Sequence, residues 1–465
     1  MKFTLQIVIQ HGDEPPVVNE IACLERDTLT LDTLGLSLQE AKTVLAQLQE
    51  MLVTEQVAAA VAPHQTCPQC SAAQRRKGQH QIVVRSLFGK LTLASPRLYT
   101  CACQGEETRR SHSPLAELLP ERTTPELQYL QAKWAALLPY GVTVDMLEEV
   151  LPIETNHTTV YRQLQQVAER LEAELGDEQA CFVDGCQRDW NALPHPQGPV
   201  TVGIDGGYVH ARDGDNRKAG WFEVIVGKSM PTDTEDKCFG FVTDYDTKPK
   251  RRLAELLKTQ GLQMNQAITF LSDGGDNVRD LQFYLSPIAE HLLDWFHVTM
   301  RITVLRQQLK ELVVRAPDDN LSKLDAGFES IKWYLWHGTA FRALQEVEGV
   351  QLALEGYEEE LPASTKLTKS VREFYGYIKA NERFIPNYDE RYRYGEAIAT
   401  GFVESTVNQV ISKRMVKKQQ MRWTKKGAHL LLQVRTQVLN DDLHTTFERW
   451  YPAMSKTDVP LQQAA

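Results

Sequence analysis

Thr201-Val202-Gly203-Ile204-Asp205-Gly206-Gly207 is a short apolar run that closes on one acid and two glycines. Branched apolar residues bounded by glycine read as a buried strand that ends in a turn. Phe270-Leu271-Ser272-Asp273-Gly274-Gly275 repeats the pattern, and Gly401-Phe402-Val403-Glu404-Ser405 opens a helix. Two carboxylates on strand ends and a third on a later helix suit a pair of hard divalent cations, which take oxygen ligands. Paired cations of this kind, ~3.5–4 Å apart, serve phosphodiester chemistry. Taken singly, an Asp before glycine is a common turn residue, so the metal reading requires the three to converge. The acids nearby, Asp213, Asp215, Asp276 and Asp280, read as solvated.

Outward from the first stretch, strand candidates fall at 200–205 with 207–211, 219–228 and 238–243. A helix is expected over 250–260, a buried strand over 267–272, a helix near 277–286 and a short strand over 291–297. Three strands, a helix and then alternation match an RNase H-like mixed α/β layer. In such a layer the first and fourth strands are neighbours, which would bring Asp205 and Asp273 together. Asp294-Trp295-Phe296-His297 follows the next strand. Asp294 therefore competes with Asp273 for the second ligand position, and His297 reads first as a hydrogen-bonded structural group. Residues 300–395 read as helical, with Trp333, Trp336, Phe341, Leu344 and Phe374 as expected core. Helices at 402–415 and 425–440 follow.

A net charge of −10 excludes a surface that is basic all round. Charge is segregated instead. From Ser405 to Asn440 there is no acid, and Lys413, Arg414, Lys417, Lys418, Arg422, Lys425, Lys426 and Arg435 lie within it. Trp423 and His429 are interleaved. Phosphate contact by Lys417, Lys418, Arg422 and Lys425 is expected, although a charge run can also be a solvated face.

The chain has 465 residues, enough for several domains. The N-terminal stretch lacks the apolar core of a signal peptide and no run is long enough to span a membrane, so cytoplasm is expected. Strands are expected at 3–9 and 29–32, then a helix from about Leu38 to Val61 that starts on the capping box Ser37-Leu38-Gln39-Glu40. Cys67-Pro68-Gln69-Cys70 and Cys101-Ala102-Cys103 flank a hairpin turning at Phe88-Gly89. Four thiolates on two tight turns suit a closed tetrahedral Zn²⁺ site, with His64 as a possible substitute ligand. Cys23 and Cys238 read as core, and Cys181 and Cys186 as free thiols. Helices at Val142–Val150 and Thr158–Glu174 form a helix-turn-helix pattern, or simply two packed helices. The first reading presents Asn156, His157, Thr159 and Arg162 to a DNA groove.

Gly203–Gly207, Leu271–Gly275, Asp294–His297 and the run from Gly401 to Gln409 through Gly427-Ala428-His429 together resemble a bacterial insertion-sequence DDE transposase of the Kra-type family. That family is distantly similar to Mutator-like transposases, and the likeness spans nearly the whole chain. It implies a multidomain α+β protein: an RNase H-like catalytic domain with an all-helical insertion, preceded by zinc-binding and helix-turn-helix modules. The implied organisation is 1–62 strand and helix, 63–114 zinc-ribbon-like, 115–193 helix-turn-helix, 200–299 catalytic core, 300–400 helical insertion and 401–465 catalytic helix with basic segment. Carried over to this chain, the resemblance makes Asp205, Asp273 and Glu404 the Mg²⁺ ligands, with Mn²⁺ as a substitute ion. It decides for Asp273 over Asp294 and leaves Asp294 and His297 as a supporting pair. It implies cleavage and strand transfer at terminal inverted repeats, double-stranded DNA as partner and a homodimer or higher assembly. A zinc-containing DNA-binding regulator and an RNase H-like repair or recombination nuclease are the alternatives.

Overall fold

The computed structural model describes residues 1–104, 110–178, 188–189, 192, 198–212, 220–275, 278–279, 281, 285, 289–357, 361–416 and 421–455. The chain is a multidomain mixed α/β protein with two compact units, Met1–Val167 together with the chain from Asp442 onward, and Ala168–Asp441. Among the described residues no helix is long and apolar enough to cross a membrane.

In the first unit, β1 (Lys2–Ile9) pairs antiparallel with β2 (Val17–Glu25), with the register shifting after Leu5. The strand expected over 29–32 is absent. The Thr33 hydroxyl accepts from Thr30 N–H at 3.0 Å and donates to the Thr28 carbonyl at 2.9 Å, which closes a turn there. Helix α1 (Leu38–Val61) begins on the expected capping box, with Ser37 and Glu40 bonding each other's backbone N–H. The hairpin of β3 (Arg76–Ser86) and β4 (Gly89–Tyr99) gains the short β5 (Ser111–His112) at its edge. Its buried face, Ile82, Val84, Leu91 and Leu93, meets Val61 of α1 and Leu115 of α2 (Pro114–Leu118). Helices α3 (Pro125–Leu137), α4 (Tyr140–Val150) and α5 (His157–Leu175) follow. Val160, Leu164, Val167 and Ala168 form the buried stripe of α5, at helical spacing. The helix Leu443–Trp450 belongs to this unit rather than to the basic segment before it, because its fully buried Phe447 packs edge-on to Tyr129 at 5.5 Å. Cys23 is exposed, not core, while Cys238 is buried as expected.

The second unit is built on a five-stranded sheet. Its central strand β6 (Val200–His210) runs unbroken through Asp205. On one side lie β7 (Trp221–Met230) and β8 (Lys237–Val242), each antiparallel to its neighbour. On the other lie β9 (Ile268–Ser272) and β10 (Glu290–Leu293), each parallel to its neighbour. Helix α6 (Pro249–Thr259) covers one face through Leu253 and Leu257, against Val202, Ile204 and Phe270. β10 is shorter than expected. Asp294 caps the next helix by accepting from Phe296 N–H at 2.9 Å, so the chain turns helical where a strand through 297 was anticipated.

That helix is α7 (Trp295–Arg315), and α8 (Asp319–Trp336), α9 (Ala340–Glu355), α10 (Ser364–Asn381) and α11 (Tyr388–Arg393) follow. They close on a core of Ile302, Phe328, Leu344, Val371 and Phe374. Trp333 and Phe341 lie outside it, 53% and 56% exposed. Helix α12 (Gly401–Val407) continues as a π-helix over Asn408–Val416, and α13 (Lys425–Leu439) completes the unit.

Candidate active site and metal-ligating cysteines

Successive strand residues face opposite sides of a sheet, so Gly203, Asp205 and Gly207 share one face of β6. That face receives α12. A Cβ on Gly203 would collide with Val403 and lie 2.7 Å from the Phe402 ring, and one on Gly207 would lie 2.7 Å from Ile411. The glycines thus let the Glu404 helix lie flat on the strand that carries Asp205. Gly203→Ala is expected to cost about 1–3 kcal/mol by overpacking and to displace α12, read as a lowered melting temperature. An unchanged melting temperature would mean that the seam yields freely.

Asp205 is half-buried, and its Oδ1 accepts from Gly206 N–H at 2.7 Å. Burial pushes its carboxyl above the ordinary range against that bond, the nearby Asp273 and Asp294 charges add to the rise, and His297 opposes it. Asp273 ends β9 exposed, with Oδ1 accepting from Gly275 N–H at 3.1 Å. Gly274 holds φ +89°, with Asn381 Oδ1 2.5 Å from where a Cβ would stand, so the turn after Asp273 requires glycine. Tyr377 of α10 donates to the Asp273 carbonyl at 3.1 Å.

Asp294 is fully buried and accepts three further bonds besides its cap. His297 Nδ1 donates at 2.6 Å, Thr400 N–H at 3.0 Å, and the Thr400 hydroxyl also bonds it. The bond to Asp294 raises the His297 pKa against desolvation, and the Asp294, Asp205 and Asp273 charges raise it further. Glu404 N–H in turn bonds the Thr400 carbonyl at 3.0 Å, and the Glu404 side chain is exposed. Thr400, Tyr377 and Asn381 are supports that no motif marked.

Among the described residues, two sets of three or more His, Cys, Asp or Glu side chains bring ligand atoms within 4.8 Å of one another. Asp205, Asp273 and Glu404 are not such a set, so they do not share one ion-sized point. Asp205 and Asp273 lie within each other's field, and Glu404 is placed by its helix on the face of β6 that carries Asp205.

One of the two sets is Cys67, Cys70, Cys101 and Cys103, which could hold a metal such as zinc. Cys67 and Cys103 sulfurs lie 3.4 Å apart, and Cys70 and Cys101 3.5 Å apart. Backbone N–H groups of Cys70 and Gln69 aim at the Cys67 sulfur and draw its pKa down to about 6. His64 is not part of the set.

The other set, Glu172, Asp246 and His429, already surrounds a cation. Buried Arg252 reaches Glu172 at 2.9 Å, Asp246 at 3.0 Å, Gln433 at 2.6 Å and His429 at 3.4 Å. Burial would raise the Glu172 pKa, but its His429 bond and the Arg252 charge outweigh it and hold it at about 2. Arg252→Met would strand two partly buried carboxylates and is expected to cost about 3 kcal/mol in urea unfolding. Because the folded pKa lies below the ordinary value of 4.5, Glu172's stabilisation is present above that pH and is lost as pH falls toward 2. The variant should weaken that acid dependence, since the His429 bond to Glu172 remains, and wild-type stability in it would show that the Arg252 contacts contribute nothing.

The basic stretch is only partly outward. Arg414, Arg435, Trp423 and His429 are buried. Arg435 donates to the Val410 carbonyl at 2.8 Å and to the Gln409 carbonyl, within the π-helical segment. Lys425 pairs with Asp244 at 3.0 Å and Lys426 with Glu169 at 2.9 Å. Arg422 and Lys413 are exposed. Lys417, Lys418, Cys181, Cys186, Asp213, Asp215, Asp276 and Asp280 lie outside the described residues. On α5, His157 and Arg162 are exposed and Thr159 is half-buried, while Asn156 Oδ1 is taken up in accepting from Thr159 N–H at 2.9 Å.

No protein-family model matches the chain, and no curated protein matches it significantly.

Proposed function

We propose that the chain is a DDE-type DNA transposase that cuts and joins DNA at the terminal inverted repeats of an insertion sequence. One observation carries the reading. Asp205 stands on β6 and Asp273 directly follows its parallel neighbour β9, the two within each other's field, and the Glu404 helix lies on the face of β6 that carries Asp205. The strand order β10-β9-β6-β7-β8, parallel on one side of β6 and antiparallel on the other, supports an RNase H-like catalytic domain. The helices from α7 to α11 are then its insertion.

Asp205, Asp273 and Glu404 would hold two Mg²⁺, or Mn²⁺ in its place. Held there, the pair would supply charge stabilisation to the attacking and leaving oxygens of a phosphodiester. The chain's own part is positioning and charge. Asp294 and Thr400 tie the start of the Glu404 helix to the end of β10. His297, held by Asp294 at 2.6 Å, lies in the field of the Asp205 and Asp273 carboxylates. Exposed Arg422 and Lys413 suit phosphate contact, and Arg162 and His157 suit a groove. The four cysteines would hold structural Zn²⁺. A homodimer or larger assembly would pair two element ends.

The test uses purified full-length protein, Mg²⁺ and DNA carrying the repeats that flank its gene. Nicks at the repeat ends that vanish in EDTA are expected. Binding with no metal-dependent cutting would overturn the proposal in favour of a regulator. Cutting without preference for the ends would overturn it in favour of a repair or recombination nuclease.

A further inference from the structure

The helical segment after β10 holds an aromatic cluster that the proposed chemistry does not use. Trp295, first residue of α7, packs against Trp336 with ring centroids 5.1 Å apart and against Tyr388 at 4.8 Å. Trp333 lies on the same helix as Trp336, one turn earlier, and is 53% exposed. An open cavity of about 220 Å³ is lined by Trp295, Lys332, Trp333 and Trp336. Sites for drug-sized ligands span roughly 300–1,000 Å³, so this one admits a single flat ring system.

The lining narrows the occupant. Indole walls attract either a flat π-system or a cation. Lys332 in the lining disfavours a cation and favours an anion. A nucleotide meets both demands, with its base on the indoles and its phosphate at the ammonium. A base stacked inside a duplex cannot enter such a pocket, so the occupant must be unpaired. Placement agrees, since Trp295 directly follows Asp294 and its N–H bonds the Ile398 carbonyl at 3.1 Å, just ahead of Thr400 and Glu404.

We propose that this cavity receives one unstacked base of the DNA strand held at the Asp205 and Asp273 carboxylates. The inference rests on the reading of the chain as a DNA-cutting enzyme, but base capture does not require the cut.

Full-length protein in EDTA is titrated with a short oligo-dT and with an abasic oligomer of equal length, followed by tryptophan fluorescence and anisotropy. The oligo-dT should quench the fluorescence and bind on the order of ten- to a hundredfold more tightly than the abasic strand. Trp333→Ala, which changes an exposed side chain, should reduce oligo-dT binding to the abasic level. Lys332→Gln should lower the salt slope by about one. Equal binding of the two oligomers, or full base-dependent binding by Trp333→Ala, would overturn the inference. Base-dependent binding by a protein that never cuts repeat ends would sink the transposase reading and leave the pocket standing. End cutting by a protein that binds the two oligomers equally would do the reverse.

Discussion

Asp205→Asn is expected to lower Mg²⁺-dependent end cutting by on the order of a thousandfold, while the metal-free protein stays at least as stable as wild type. Burial already disfavours the Asp205 charge, and Asp273 and Asp294 repel it. The asparagine removes that charge and keeps an Oδ1 for the 2.7 Å bond from Gly206 N–H. Local structure therefore loses nothing, whereas a divalent cation loses an anionic ligand. The pairing of the two results is what discriminates. A turn-forming aspartate would leave cutting unchanged when replaced by asparagine, and a structural ion-pair partner would lower the melting temperature. Single-turnover cleavage and thermal unfolding without metal read the two arms separately. Wild-type cutting by Asp205→Asn would remove the residue from the site.

The prediction depends on features unequally legible in the chain. β6 and β9 were readable because branched apolar residues bounded by glycine have few other solutions in a buried sheet. Gly203 and Gly207 could not be read as a helix seat, because the partner at 402–411 lies two hundred residues on. Asp294 could be read as a strand end or a helix cap, and only its bond to Phe296 N–H decides for the cap. The basic stretch misled most. A count of charges along a chain carries no information about facing, and π-helical backbone at Asn408–Val416 leaves carbonyls that buried Arg435 satisfies from within. Trp333 and Phe341 were expected inside because aromatic residues usually are, yet both face outward. The capping box at Ser37 was legible to the residue because its signal is local.

Removal of the metal that the four cysteines would hold is expected to melt the two cysteine turns, 66–74 and 100–104, locally, with a loss on the order of 10 kcal/mol of binding energy coupled to folding. The backbone there is otherwise held by its own turn bonds. Cys67 N–H bonds the Ala72 carbonyl at 2.8 Å and Gln74 N–H the Gln65 carbonyl at 2.8 Å, and Ser71 sits at φ +58°, where a side chain is strained. Cys70 and Cys103 are exposed, so no apolar packing replaces the ion at that end. The hairpin beyond is different. Ile82, Val84, Leu91 and Leu93 pack on Val61 and Leu115, and that core does not involve the cysteines. Chelation should therefore open the cysteine turns to protease while the β3–β4 core stays protected, and Cys67→Ser should reproduce the effect. Elemental analysis should find one zinc per chain before chelation and none after. A chain that carries no metal as purified, or whose cysteine turns resist protease equally with and without it, would show that the four thiols pack as an apolar cluster and hold nothing.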